Sequence, residues 1–209
     1  MKVILFNGST HANGCTYQAL QMIATTLNQQ GIDTEILQIG TQAIHDCIGC
    51  GFCRQGNSGC VFTEDCLNTW LEKIKTADGF VFGSPVYYAH PSGALLSAMD
   101  RLFYAGGQYL HHKPAAAVLT ARRAGTTASM DVINKHFTIN QMPVVGSTYW
   151  NQVYRSADGT PNADAEGQQT MQNLANNMAW LLKCIELGQT HGITTPNNSK
   201  SAHTSFLNQ

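Results

Sequence analysis

Short apolar runs that lack a polar face recur along the chain, each followed by a segment with helical spacing, and this alternation restricts the fold more than any other feature. Residues 2–6, 34–39, 79–83, 115–120 and 143–149 read as strands. Residues 16–29, 64–76, 92–104, 126–137 and 165–187 read as helices; the first spaces Ala19, Leu20, Ile23, Ala24 and Leu27 along one face, and Gly31 ends it. Apolar strands alternating with helices predict a doubly wound parallel α/β fold in three α/β/α layers. Five strands in this rhythm suit the flavodoxin-like order 2-1-3-4-5, whose ligands sit beyond the carboxyl ends of the strands, near the point where the winding reverses. The loops after the first, third and fourth strands are therefore where a site is expected.

At 209 residues the chain predicts one main domain. It is expected to span residues 1–189, with a cysteine-rich insertion at about 42–63 and a polar tail over 190–209 that is mobile or an oligomer arm. Charged residues make up 12% of the chain and the net charge is -1, so no general field favours nucleic acid or an acidic membrane surface as partner. No stretch reaches the roughly 18 apolar residues of a membrane span. The apolar run Val3 to Phe6 is too short for a signal peptide, and a soluble cytoplasmic protein is expected.

The first loop, Gly8 to Thr16, offers Ser9, Thr10, His11, Cys15 and Thr16 together with the first amides of a helix, a set that can converge on one anion. It has no Walker A lysine and no three-glycine dinucleotide fingerprint, so a monophosphate fits better than ATP or a tightly held dinucleotide. The plainer alternative is that Asn13 or Thr16 merely caps the helix. After the third strand, Pro85, Val86, Tyr87 and Tyr88 form a stiff, aromatic segment suited to the rim of a flat ring such as an isoalloxazine, or to a packed turn. After the fourth, Thr120, Ala121, Arg122 and Gly125 surround an arginine pair, Arg122-Arg123, that could face a flavin edge, a nicotinamide phosphate or simply solvent. One phosphate site without a second nucleotide pocket favours FMN over FAD.

On these segments the chain resembles the NADPH-dependent FMN reductase and iron-sulfur flavoprotein branch of the flavodoxin-like superfamily, over roughly residues 1–187. The family's first loop reads glycine-serine, then glycine-asparagine-threonine; here Gly8-Ser9 and Gly14-Cys15-Thr16 stand, with Cys15 replacing asparagine. Ser84-Pro85-Val86-Tyr87 and Met99-Asp100-Arg101 are similar to the family's most specific stretches, although Asp100 and Arg101 could also be a structural ion pair. The resemblance implies that Pro85 to Tyr88 border the isoalloxazine of FMN and that Ala121 to Gly125 approach its other edge. It implies an FMN-dependent NAD(P)H oxidoreductase, passing a hydride to flavin N5 and electrons on to a quinone, flavin, azo or nitro compound, or a redox carrier. No side chain need act as acid or base, so no catalytic residue is assigned. A homodimer or homotetramer is implied as well.

Cys47, Cys50 and Cys53 stand at intervals of three, Cys60 follows, and Gly49, Gly51, Gly56 and Gly59 loosen the backbone between them. Iron-sulfur flavoproteins use a similar arrangement, and thiolates favour such clusters, here a 4Fe-4S cluster as candidate. A lid, a subunit contact or a reversible disulfide are the alternatives; zinc fits less well without paired knuckles. If the cluster is present and a nicotinamide site is not, the chain is an electron-transfer module. A phosphate-sensing domain without redox chemistry is the third reading. His111-His112 receives no role.

Overall fold

In the first strand, β1 (Lys2–Asn7), Val3 and Leu5 face one side and Ile4 and Phe6 the other, and all four are fully buried. The computed structural model, which describes residues 1–56, 59–198, 201, 202 and 204, covers both faces with helices. α1 (Cys15–Gln29) and α5 (Ala165–Thr190) pack over Val3, Leu5, Val81 and Val118. α2 (Leu67–Ile74), α3 (Gly93–Gly106) and α4 (Thr126–Ile139) pack over Ile4, Phe6, Phe80 and Phe82, where the Phe6 and Phe82 rings stack at 4.4 Å.

The sheet runs β2 (Asp33–Gln38), β1, β3 (Gly79–Tyr87), β5 (Ala115–Ala121), β6 (Gln152–Tyr154), with all neighbours parallel. β4 (His90–Pro91) is a short antiparallel addition to β3. Without it the order is the expected 2-1-3-4-5, and the three-layer flavodoxin-like architecture holds. Among the described residues no helix is long and apolar enough to cross a membrane.

Two strand boundaries differ from expectation. β3 continues through Ser84, Pro85 and Val86 to Tyr87 rather than ending at Gly83. Pairing with β1 stops at Gly83 while pairing with β5 continues to Pro85, so the proline lacks an N–H only where one neighbour has already left. The last strand is not at 143–149. Val144 makes one isolated bridge to Ala115, the chain then bulges away through Gly146 to Trp150, and the ladder resumes at Gln152 to Tyr154 against Leu119 to Ala121. Asn173 and Asn177 of α5 hold that bulge by donating to Thr148 Oγ1 (3.0 Å) and the Gly146 carbonyl (2.9 Å). Of the expected tail, residues 199, 200, 203 and 205–209 lie outside the described residues, as do residues 57 and 58 of the cysteine segment.

On the outer edge, Glu35 of β2 accepts hydrogen bonds from Lys2 (2.7 Å) and from Lys73, tying β2 to β1 and α2. Those bonds hold its carboxyl below the usual glutamate range. A lowered folded pKa means the contribution is present above the unfolded value and is lost as pH falls through the folded one. Glu35→Gln should therefore cost about 0.5–1 kcal/mol at pH 7, with the difference from the natural chain starting to shrink below about pH 4 and fading as the pH falls further. Urea unfolding at both pH values measures this, and an equal loss at about pH 3 would contradict it.

Candidate functional site

The loop after β1 is held by its own turns. Asn7 Oδ1 accepts from the Ser9 amide (3.1 Å), Ser9 Oγ accepts from the His11 amide (3.1 Å), and the Gly8 amide donates to Gly83 of β3 (2.8 Å). Gly8 is needed for that approach: a Cβ there would meet Leu95 Cδ2 at 2.7 Å, Leu95 Cβ at 2.8 Å and the Gly83 carbonyl at 2.9 Å. α1 begins at Gly14 with no side-chain cap and no acidic residue in its first turn, which leaves the amides of that turn for an outside anion. The capping alternative for Asn13 or Thr16 is thereby corrected. Thr16 Oγ1 instead shares a buried 2.7 Å hydrogen bond with Thr120 Oγ1, fastening the helix start to the end of β5.

A cavity of about 640 Å³ opens at this end of the sheet. Ser9, His11, Cys15 and Thr16 line one side, Pro85, Val86 and Tyr87 a second, and Thr120, Ala121 and Arg122 a third. The three loops singled out in the sequence thus converge on one space of the size that ligands occupy. Thr10 stands at its margin, with its hydroxyl 3.3 Å from Tyr87 Oη. Tyr88 does not line it: this residue adopts φ 57° at the turn between β3 and β4 and is fully exposed. Gly125 lies behind the wall, at φ 94° before α4, where a Cβ would meet Val86 Cγ1 at 3.0 Å. Ser84 fixes the middle wall by accepting from the Ser92 amide (2.9 Å) and donating to the Pro85 carbonyl (2.9 Å).

Burial pushes the Cys15 thiol up to about 11, with Arg155 opposing the shift, so Cys15 enters the cavity as a neutral group. Arg155 and Gly159 also line the cavity, and sequence reasoning misses them because they follow β6, which the apolar pattern places several residues too early. The signal is present all the same: Val153 between two polar residues, then a basic residue directly after the strand.

A second cavity, of about 230 Å³, is lined by Cys47, Cys50, Cys53 and Cys60 together with Arg101 and Tyr104. Gly49, Gly51, Gly56 and Gly59 all have positive φ, from 64° to 89°, as a tightly winding loop requires. Asn68 pins the far end, accepting from the Cys60 amide (2.7 Å) and donating to the carbonyls of Cys60 (3.0 Å) and Phe62 (3.0 Å). Arg101 is almost wholly buried. It pairs with Asp65 rather than Asp100, and donates to the His45 carbonyl (3.1 Å) and to Cys60 Sγ (3.2 Å). Asp100 faces His136 (3.0 Å), which corrects the alternative of an Asp100–Arg101 ion pair. Burial raises the Asp65 carboxyl, but the hydrogen bonds from Arg101 and the Leu67 amide outweigh it and hold the group below its ordinary value. The four thiols line one cavity and are of the donor type that clusters use, but among the described residues no three ligating side chains are gathered tightly enough to hold a metal ion.

An open parallel sheet in this order, with a strand-to-helix loop after its first strand and a cavity at the carboxyl ends of its strands, defines a flavodoxin-like domain. The chain belongs to the NADPH-dependent FMN reductase family, a family of FMN-binding oxidoreductases whose model matches residues 1–154. It is 31% identical over 194 residues to an iron-sulfur flavoprotein of Methanocaldococcus jannaschii, covering 89% of this chain and 100% of that protein. Among solved structures, an archaeal flavodoxin is similar with a TM-score of 0.60 and 16% identity, over 88% of this chain and 99% of that one. RosB with bound 8-demethyl-8-formylriboflavin-5'-phosphate is similar with a TM-score of 0.61 and 14% identity, over 99% of this chain and 95% of that one.

Proposed function

We propose that the chain is an FMN-dependent oxidoreductase that takes electrons from NAD(P)H and passes them to a small acceptor or a redox carrier. The observation that carries this reading is the convergence of the Ser9–Thr16 loop, the Pro85–Tyr87 wall and the Thr120–Arg122 segment on one cavity. When bound, FMN supplies the hydride and single-electron chemistry. The residues do the rest. The hydroxyls of Ser9 and Thr16 and the first amides of α1 hold the phosphate end. Pro85, Val86 and Tyr87 give the ring an apolar face, and the Ser84 hydrogen bonds keep that face from moving. Arg122, exposed at the cavity mouth, supplies positive charge for a reduced ring or for a nicotinamide phosphate.

The cysteine cavity and the name of the Methanocaldococcus relative favour a second reading, in which Cys47, Cys50, Cys53 and Cys60 would hold a 4Fe-4S cluster and electrons arrive from a protein carrier. Protein purified anaerobically and loaded with FMN should be yellow and bleach when NADPH is added. Bleaching by a reduced iron-sulfur carrier but not by NADPH would establish the second reading, and failure to take up FMN would end both. Stoichiometric iron and sulfide in the natural chain that vanish from Cys50→Ser would support the cluster. Iron-free protein with full activity would remove the cluster from the scheme.

A further inference from the structure

The loop after β1 contains neither lysine nor arginine. A phosphate monoester carries about -1.5 to -2 charges at neutral pH, whereas a helix start offers only about half of one opposite charge. That mismatch asks for a cation from elsewhere in the cavity. Arg155 is placed to provide it: it leaves the end of β6, donates its amide to the Ala121 carbonyl (2.8 Å), and lines the same cavity as Ser9, Cys15 and Thr16.

The turn that carries Arg155 is built independently of any ligand. The Ser156 amide donates to the Thr160 carbonyl (2.7 Å) and the Gly159 amide to the Ser156 carbonyl (3.0 Å). Gly159 has φ 88°, and a Cβ at that position would lie 3.4 Å from Arg155 Nη2, so the guanidinium rests across the glycine. The neighbouring acids take their hydrogen bonds from other groups, and Asp158 feels the Arg155 charge without forming an ion pair with it. Asp158 accepts from the Thr160 amide (2.9 Å) and hydroxyl (2.7 Å), while Asp164 accepts from the amides of Gly167 (2.9 Å) and Tyr154 (2.7 Å). Among the described residues Arg155 has no ion-pair partner within bonding distance. Its charge reaches the first residue of α1, where it opposes the rise in the Cys15 pKa that burial causes and to which Asp164 and Asp158 add.

We propose that Arg155 clamps the phosphate of the flavin and is the residue by which this chain selects FMN over unphosphorylated riboflavin. The proposal rests on the FMN reading and adds its phosphate-specificity determinant. A guanidinium on a dianion forms charge-assisted, two-pronged hydrogen bonds that a neutral ribityl end cannot receive.

The test is fluorescence titration of flavin-free full-length protein with FMN and with riboflavin, for the natural chain, Arg155→Gln and Arg155→Lys. The glutamine variant should bind FMN about 10- to 100-fold more weakly and riboflavin unchanged, so the preference for FMN collapses. The lysine variant, with charge but no fork, should fall between. Unchanged riboflavin binding also reports that the fold survives. An unaltered preference in Arg155→Gln, or an equal loss of both flavins, would overturn the proposal while leaving the FMN reading in place. A natural chain that binds neither flavin would overturn both.

Discussion

Replacing Arg101 by methionine should destabilise the protein by about 3–5 kcal/mol, because it leaves the buried Asp65 carboxylate without its counter-charge. Arg101 and Asp65 side chains are 1% and 2% exposed, so water cannot take over the lost hydrogen bonds without opening the structure. The same side chain holds the His45 carbonyl and Cys60 Sγ and lies over the Phe62 ring at 5.2 Å. Its loss should thus release the cysteine loop before the sheet unfolds. Urea unfolding gives the total, and labelling with a thiol reagent under native conditions should show faster modification of Cys60. A cost below about 1 kcal/mol would show that the pair carries little. The double variant Arg101→Met/Asp65→Leu separates charge from packing: it should recover much of the loss, since removing both partners leaves no orphaned ion.

Gly8→Ala should weaken FMN binding by about 10-fold, the equivalent of about 1.4 kcal/mol of overpacking felt at the site. The new methyl group would press on Leu95 Cβ and the Gly83 carbonyl, neither of which is the free end of a flexible side chain. Overpacking of this kind also costs about 1–3 kcal/mol of stability. Gly93→Ala is the matched control. A methyl group added there would have nothing within 4 Å, and the residue starts α3, so FMN affinity should stay where it is and the unfolding midpoint should hold or rise slightly. Equal behaviour of the two variants in FMN titration would remove the close approach of β1, β3 and α3 from the account of the site.

Much of this is legible in the sequence because it follows from local periodicity. Val3 to Phe6 are apolar at every position, which demands cover on both faces, and the Ser9–Thr16 segment joins a strand to a helix without any intervening element. What is not legible depends on distant partners. Pro143 to Val145 is as apolar and β-branched as a real strand, yet α5 asparagines hold the following residues away from the sheet, and the ladder closes only at Gln152. That one displacement conceals Arg155. The Asp100–Arg101 pair fails for a reason available beforehand: adjacent helical residues point in different directions and do not face each other. The true partner of Arg101, Asp65, is 36 residues away and belongs to the segment leading into α2.

The two borders of the sheet bear on how copies of this chain can meet. β6 is three residues long and runs directly into the Arg155 turn, while β2 carries Asp33 and Glu35 along its length. Neither presents a long uncharged ladder for a neighbouring strand to extend, the condition under which β-rich proteins polymerise edge to edge. Two copies that met would do so through the helical surface and exposed aromatic side chains such as Tyr149, Trp150 and Trp180, contacts that can close into a finite assembly instead of growing into a fibre.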